Sequence, residues 1–588
     1  MRLIIDSVKK YKYRFLLLVL VLTLEVLIQV VITGYVSRVV DMIVESINAS
    51  KDMSEIVRLL LVRGGFLLLL ALVHALLSVV AGYFCAEIAS KTGRDLRSLV
   101  YKKVMSFSLK EIDKFSISSL ITRSTNDVQG IQSTIHLFLF ASLMSPIMAV
   151  CGFISVFIYK SKMEWVVAVA IVAVVTSMGG LFIAARKYTL KLQYKLDKVN
   201  SIMREQLTGV QVIRAFNKEK WGKERLDNAV DELGYYTLHS DNILLLMMPT
   251  FSFISNFVSV IVILVGTMRV SQGLMEVGVL MALVSYVQMI VLSFMLLSAV
   301  LMQLPRTLSS AGRIRELLDT PVSIVGGDVK SDPAHENKTV LKFEEVSFKY
   351  SEDGKEVLEN IDFDIKTGEK LAIIGNTGAG KSTILKLMLR LYDVTKGRIL
   401  INGEDIRSYE TEELRKLFGY VPQNNYLFRG TVESNIAFSS PEHSREDVEE
   451  AGKIAQADSF IMDKEDGYSS FVAEGGKNLS GGQRQRLSIA RAIMKDPKIY
   501  LFDDSFSALD YKTDSELRKA LEGKLKNAVT VIVAQRISSV MNADKILVIE
   551  NGKTVGMGTH EELIKNCEIY KEIARSQMSE EEYHGRAE

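Results

Sequence analysis

The sequence predicts two kinds of structure in series: an α-helical membrane domain of six spans, then an α/β domain organised around a phosphate-binding loop. Six low-charge apolar runs lie within the first 305 residues, and residues 371–384 read LAIIGNTGAGKSTI: an apolar strand-like run, a glycine-rich turn, then Lys-Ser-Thr opening a helix. Length agrees, because 588 residues exceed what one hydrophobic core organises, so at least two domains are expected.

Composition sharpens this. The chain is 48% hydrophobic and 24% charged, and the two properties occupy different halves. A net charge of +2, with Lys and Arg dispersed, leaves no electrostatic footprint for nucleic acid, and no nucleic-acid partner is expected. Cys85, Cys151 and Cys567 are far apart and lack metal spacing, so neither a disulfide framework nor a zinc site is implied. Basic residues Lys9, Lys10, Lys12 and Arg14 precede an apolar run too long for a signal-peptide core, which is therefore expected to be retained.

A helix needs about 20 apolar residues to cross some 30 Å of hydrocarbon. Runs at 14–38, 64–86, 137–159, 165–185, 242–268 and 277–305 each reach that length, and an even number puts both chain ends on one side. The connections at 38–63, 160–164 and 269–276 are the shorter ones. Those at 87–136 and 186–241 are long and charged at helical spacing, and are expected to continue spans two to five as helices beyond the bilayer. Lys and Arg density barely distinguishes the two sets of loops, so the positive-inside rule orients the chain only weakly.

Several polar residues fall within the spans. Glu25 and Gln29 share a face of the first, and His74 lies in the second. A carboxylate at membrane depth is costly, so Glu25 either meets substrate or a proton path, or is held by another helix. In the sixth span Met281, Tyr286, Met289, Phe294 and Met295 could line an adaptable apolar surface, although helix packing or lipid contact accounts for such residues equally well.

The character changes at 305–338. Arg313, Ile314, Leu317 and Leu318 mark an amphipathic connector, and Gly326, Gly327 and Pro333 a linker. The expected divisions are a membrane domain at 1–315, a linker at 316–339, a nucleotide-binding domain at 340–578 and a polar tail at 579–588. Strand-like runs at 340–348, 370–374, 499–502, 529–534 and 545–549 alternate with helical ones, which reads as α/β.

In the loop, Gly375, Gly378 and Gly380 free the backbone to turn N–H groups of Asn376, Thr377, Ala379 and their neighbours inward around phosphate. Lys381 reaches the β- and γ-phosphates, and Ser382, with Thr383 beside it, opens the helix and offers its hydroxyl to Mg2+. Tyr350 ends the first strand about 25 residues earlier, where an aromatic could stack on adenine. The apolar run 499–502 ends in Asp503, the carboxylate such a site needs to support Mg2+. Between them Ser480, Gly481, Gly482 and Gln483 start another helix and form a second anion site. ATP and Mg2+ are thus the expected cofactors, and the need for cytosolic ATP orients the chain with both ends in the cytoplasm of a bacterial inner (plasma) membrane.

GNTGAGKST, VPQNNYLF with Gln423, NLSGGQRQRLSIARA, LFDD and SALD, in this order, resemble the ATP-binding-cassette transporters, and LSGGQ after a P-loop at this spacing is highly specific. In the first half DKFSISSLITRSTNDVQGIQ, EQLTGVQVIRAFNKE and VGVLMALVSYVQM look like the six-span exporter class (type IV, or type I exporter fold) fused to its ATPase. The resemblance implies that two chains pair head to tail, each ATP held between one chain's P-loop and the other's signature motif. It also gives Gln423 a place at the Mg2+ and in transmitting closure to the long helices.

Two departures from that family are the most informative. Where the family usually carries a glutamate that polarises water, this chain has Asp504; where it carries a switch histidine, the chain reads Ala534-Gln535-Arg536. The shorter carboxylate falls back from the water, and a misplacement of about 1 Å can cost roughly a hundredfold in rate. Gln535 can hydrogen-bond but cannot become cationic. The signature 480–483 and Asp510 are intact, while His560 matches a different family position. The chain therefore resembles the degenerate-site subunit of bacterial heterodimeric multidrug exporters, its signature completing a competent site on a partner; a homodimer with two slow sites is the alternative. The expected cargo is an amphipathic or hydrophobic small molecule. Lipid or peptide export, or an ATP-gated channel or regulatory subunit, are the rival functions.

Overall fold

The computed structural model describes residues 9–50, 52–159, 161–330, 340–440, 442–506 and 509–577. Residues 331–339 of the linker expected at 316–339, with Pro333, then Ser507 and Ala508 of SALD, and the tail expected at 579–588 lie outside them. The chain divides into two compact units: one is Met1–Met105 with Ser118–Thr320, the other Ser106–Ile117 with Pro321–Glu588.

The first unit is helical. Among the described residues six rods are long and apolar enough to cross a membrane: Lys12–Asn48, Met53–Met105, Ile117–Ile158, Glu164–Thr208, Glu219–Ser271 and Val277–Asp319. The second has 53 residues, about 80 Å at 1.5 Å per residue, far more than hydrocarbon requires. The long charged connections are therefore helical continuations of the spans. The connection expected at 38–63 is mostly helix too, since the first rod runs to Asn48 and the second starts at Met53.

Packing between rods uses small residues and buried polar clasps, as apolar chains gain little from leaving lipid for one another. A Cβ at Gly278 would lie 2.0 Å from the carbonyl oxygen of Ser37, and the Gly278 amide donates to Asp41 at 2.6 Å. The third rod contains a π-helical turn, Arg123–Asp127, which aims two charges at the sixth. Asp127 accepts from Arg313 Nε at 2.7 Å and from Ser310 at 2.9 Å, while Arg123 donates to the carbonyl of Arg313 at 2.6 Å and pairs with Glu316 at 2.9 Å.

The apolar stripe on the sixth rod proves to be mostly packing. Tyr286 and Met289 are buried in the core of the unit, with Phe294 and Met295 against it, and the Tyr286 hydroxyl donates to Val30 at 3.3 Å. Only Met281 of the five is well exposed, at 52%. Glu25 is buried, with Oε2 unpartnered among the described residues, whereas Gln29 and His74 are half-buried.

The second unit is α/β. Its strands are β1 (Val340–Phe348), β2 (Leu358–Lys366), β3 (Lys370–Ile374), β4 (Lys396–Ile401), β5 (Glu404–Asp405), β6 (Phe418–Val421), β7 (Gly430–Thr431), β8 (Phe471–Val472), β9 (Ile499–Asp503), β10 (Val529–Val533), β11 (Lys545–Glu550) and β12 (Lys553–Gly558). A four-stranded sheet runs β2-β1-β4-β5, a six-stranded one β12-β11-β3-β10-β9-β6, and β7 pairs with β8. In the six-stranded sheet β11, β3, β10, β9 and β6 are parallel and only β12 is antiparallel. Burial on both faces explains why β3, β9, β10 and β11 read as apolar runs without alternation. One hydrophobic cluster joins the two large sheets through the helix Lys381–Met388. A second gathers the helices Arg445–Ile454 and Gly481–Met494 on β6 and β9.

Because Gly278 has no room and Gly64 faces open space, Gly278→Leu should lower the thermal midpoint of the detergent-purified protein by about 5 °C or more, as overpacking a close contact does. Gly64→Ala should shift it by less than about 1 °C in the same size-exclusion melting assay.

Candidate nucleotide-binding site

The P-loop connects β3 to the helix Lys381–Met388. Gly380 caps that helix at φ 101°, and a Cβ there would meet Leu358 at 2.6 Å; one on Gly375 would come within 2.0 Å of the Ile549 carbonyl oxygen. Both positions need glycine, the first for its left-handed backbone as well as its space. The helix N-terminus presents unpaired amides toward whatever the loop encloses. Lys381 is buried, its ammonium donating to the carbonyls of Gly375 at 2.7 Å and Asn376 at 2.8 Å. Burial holds its pKa below the usual lysine value, opposed by Asp504 and Asp503. Asn376, Thr377, Gly378 and Ala379 complete the loop.

Ser382 donates to Asp503 at 2.8 Å. Asp503 is buried at the end of β9, and burial pushes its carboxyl above the ordinary range, Asp504 adding to the shift and Ser382, Lys386 and Lys381 opposing it. A hydroxyl and one carboxylate already in contact are an oxygen donor set, and Mg2+ prefers few protein oxygens with phosphate and water supplying the rest. The residues fit Mg2+ carried in with a nucleotide. Gln423 is exposed two residues beyond β6, whose Val421 pairs with Phe502 of β9, so it leaves the sheet beside Asp503.

Asp504 follows β9 in a left-handed conformation, φ 49°, which aspartate tolerates better than most residues. Its amide donates to Val533 of β10 at 2.9 Å. Gln535, two residues past β10, donates to the Asp504 carboxylate at 3.4 Å, so the two side chains face each other. The Tyr350 hydroxyl lies 2.9 Å from Thr383, and its ring meets Tyr392 edge-on at 5.2 Å. Tyr392 in turn donates to Asp113 at 2.8 Å. Asp113 lies on the short helix Leu109–Phe115, part of the segment Ser106–Ile117 that belongs to this unit although it stands between two membrane rods in sequence.

Ser480 is the N-cap of Gly481–Met494. It accepts from the Gln483 amide at 3.2 Å while the Gln483 side chain accepts from the Ser480 amide at 3.0 Å, so the signature is a reciprocal capping box. Gly481 is exposed, and a Cβ there would meet open space; Gly482 is half-buried. Leu479 and Leu487 seat the motif in the second hydrophobic cluster, apart from the first cluster that carries Ala379 and Ile384 of the P-loop segment. Asp510 caps the helix Tyr511–Leu525 by accepting from Thr513 at 3.0 Å, and that backbone bond holds its pKa low. His560 is buried, Nδ1 2.7 Å from the Tyr570 hydroxyl.

Some participants escape sequence reasoning. Tyr420, inside β6, lies against Asp503, and burial with that negative charge pushes its pKa up. Gln485 is buried and reaches the Asp504 carbonyl at 3.5 Å; its place two residues after the signature was the available signal. Asp113 and Tyr392 carry none, because no local pattern joins positions 279 residues apart.

Comparison with known proteins follows the same division. Residues 15–294 match the ABC transporter transmembrane region and residues 358–507 the ABC transporter domain. An uncharacterized ABC transporter ATP-binding protein of Mycobacterium bovis is 37% identical over 540 residues, 91% of each chain. A Staphylococcus aureus protein named "Putative multidrug export ATP-binding/permease protein" is 30% identical over 97% of this chain and 98% of its own. The ATP-dependent lipid A-core flippase of Syntrophus aciditrophicus is 31% identical over 85% and 83%. The fold matches a solved bacterial Atm1-family ABC exporter with ATP bound, at TM-score 0.81 and 24% identity, covering 97% and 99% of the two chains. The chain belongs to the ABC transporters, as a multi-pass membrane protein with the exporter fold whose transmembrane region and ATPase domain share one polypeptide.

Proposed function

We propose that this chain is one half of a heterodimeric exporter of amphipathic or hydrophobic compounds, and that its own P-loop forms the slow, degenerate site of the pair. The observation that carries the reading is the pair Asp504 and Gln535, set opposite each other where the family uses a longer carboxylate and an ionisable imidazole. Everything around them is in working order: Ser382 on Asp503, Lys381 in the loop, and a capped signature. ATP binding is retained and hydrolysis is slowed. Seating the signature in a different hydrophobic cluster from the P-loop suits it to a partner's nucleotide, beside that partner's Glu and His.

In this reading the loop glycines and the helix N-terminus hold the phosphates, Lys381 leaves the two carbonyls for the γ-phosphate, and Tyr350 stacks on adenine. Ser382, Asp503 and Gln423 hold Mg2+, which neutralises charge on the transferring phosphate. Asp504 orients water and Gln535 hydrogen-bonds near the γ-phosphate. Closure reaches the membrane rods through Gln423 and through the Asp113, Tyr392, Tyr350 and Thr383 contacts. The chain sits in a bacterial inner membrane with both ends cytoplasmic. A cavity of about 520 Å³ between the third and sixth rods suits the polar end of an amphiphile, being lined by Asn126, Gln129, Ser133, Thr134, Gln303 and Arg306. The flippase relative keeps a lipid cargo as the second reading.

Two measurements test this. Inverted vesicles carrying the chain with its partner should accumulate an amphipathic dye against its gradient on adding Mg-ATP; an ATP-dependent passive conductance without accumulation contradicts the export reading. In nucleotide-analogue titrations, Tyr350→Phe should weaken binding roughly two- to fivefold through the lost hydroxyl, and Tyr350→Ala roughly tenfold or more by removing the ring.

A further inference from the structure

We infer that Gln577 is a positioning residue for Gln535, a role that rests on the reading of Gln535 given above. The loop that leaves β10 must present Gln535 to Asp504 and then turn into the helix Ile537–Val540. A single side-chain amide spans that turn. Gln577 Nε2 donates to the carbonyl of Gln535 at 2.8 Å, and Gln577 Oε1 accepts from the amide of Ile537 at 2.8 Å. Both ends of one glutamine are thus used on backbone groups two residues apart, across Arg536.

The geometry has a rigid base. Gln577 lies on the helix Glu568–Gln577, whose Tyr570 and Ala574 are fully buried in one hydrophobic cluster with Ala534, Ile537 and Val540. His560 braces Tyr570 from the preceding helix. Gln577 itself is exposed, so its amide is not needed to fill the core. What the amide does is fix the peptide planes on either side of Arg536, and through them the direction in which the Gln535 side chain leaves the backbone. At 3.4 Å the bond from Gln535 to Asp504 is already long, so a small rotation of that loop breaks it. The helix therefore sets how far Gln535 reaches toward Asp504.

The test is a double-mutant cycle in nanodiscs on the full-length transporter assembled with a partner chain whose own catalytic Glu is replaced by Gln, so that hydrolysis reports this chain's P-loop. Single-turnover ATP hydrolysis is followed for hours with protein in excess, so that a slow site is still read. The variants are Gln535→Ala, Gln577→Met, which keeps side-chain length and loses both hydrogen bonds, and the two combined. Gln577→Met should lower the single-turnover rate roughly tenfold, the scale expected when a group is displaced by a fraction of an ångström to one ångström. The protein concentration giving half-maximal rate should stay within about twofold, and the double variant should be no slower than Gln535→Ala alone. Gln577→Glu, which keeps the acceptor for Ile537 and loses the donor to Gln535, should fall between wild type and Gln577→Met. Amide exchange at Ile537 should accelerate in Gln577→Met without faster exchange in β10.

Equal slowing by Gln577→Met in the presence and absence of Gln535, or no slowing where Gln535→Ala does slow hydrolysis, overturns the inference alone. If Gln535→Ala leaves the rate unchanged, the assignment of Gln535 fails first and the role of Gln577 with it.

Discussion

Ser382 and Asp503 stand 121 residues apart in sequence, and the 2.8 Å hydrogen bond between them depends on the parallel register of the six-stranded sheet. β3 delivers the P-loop, β9 delivers Asp503 and Asp504, and β10 lies between them and delivers Gln535. The register pairs Val533 of β10 with Asp503 of β9 and with Ile373 of β3, so the three strands end at one level. A slip by one residue would turn every buried side chain to the other face of the sheet. It would also separate the hydroxyl from the carboxylate, and the site would lose its oxygen donors together with the core.

That constraint bears on the proposed slow site at Asp504 and Gln535. A carboxylate one methylene shorter at the end of β9 cannot be compensated by shifting the strand, because Asp504 is tied by its amide to Val533 and the strand beneath it is fully buried. Gln535 fills the space beside it as a neutral hydrogen-bond donor. In the proposed reading the P-loop, Ser382 with Asp503 and the capped signature are complete, while Asp504 and Gln535 stand in place of the water-activating pair. A chain drifting out of use would be expected to accumulate changes in the glycines at 375 and 380 as well, where a side chain has no space. Both glycines are present, as the proposed retention of nucleotide binding requires.

Much of this was legible in the sequence. The strand-like runs at 340–348 and 370–374 coincide with β1 and β3, and 499–502, 529–534 and 545–549 fall within a residue of β9, β10 and β11, because buried strands write themselves as apolar runs. The spans and the P-loop announced themselves by length and by glycine spacing. Other features left no local trace. β5, β7 and β8 are two residues long and exist through their partners. The stripe on the sixth rod was ambiguous in principle, since a helix face bound to its neighbours and one bound to a ligand obey the same spacing; the structure buries Tyr286 and Met289 in the unit's core. Asp113 and Gln577 were invisible because their partners, Tyr392 in one case and Gln535 and Ile537 in the other, are brought to them by the tertiary fold.

The most direct measurement is ATP hydrolysis by the purified chain alone, and after co-expression with a second cassette chain that carries the Glu and His, each with and without Asp504→Glu plus Gln535→His. The account predicts near-background hydrolysis by the lone chain, activity on adding the partner, and loss of that activity when Ser480 is replaced by a bulky residue. The paired substitution should raise the lone chain's rate. Brisk hydrolysis by the unmodified chain as a homodimer would contradict it, showing that Asp504 and Gln535 suffice for catalysis.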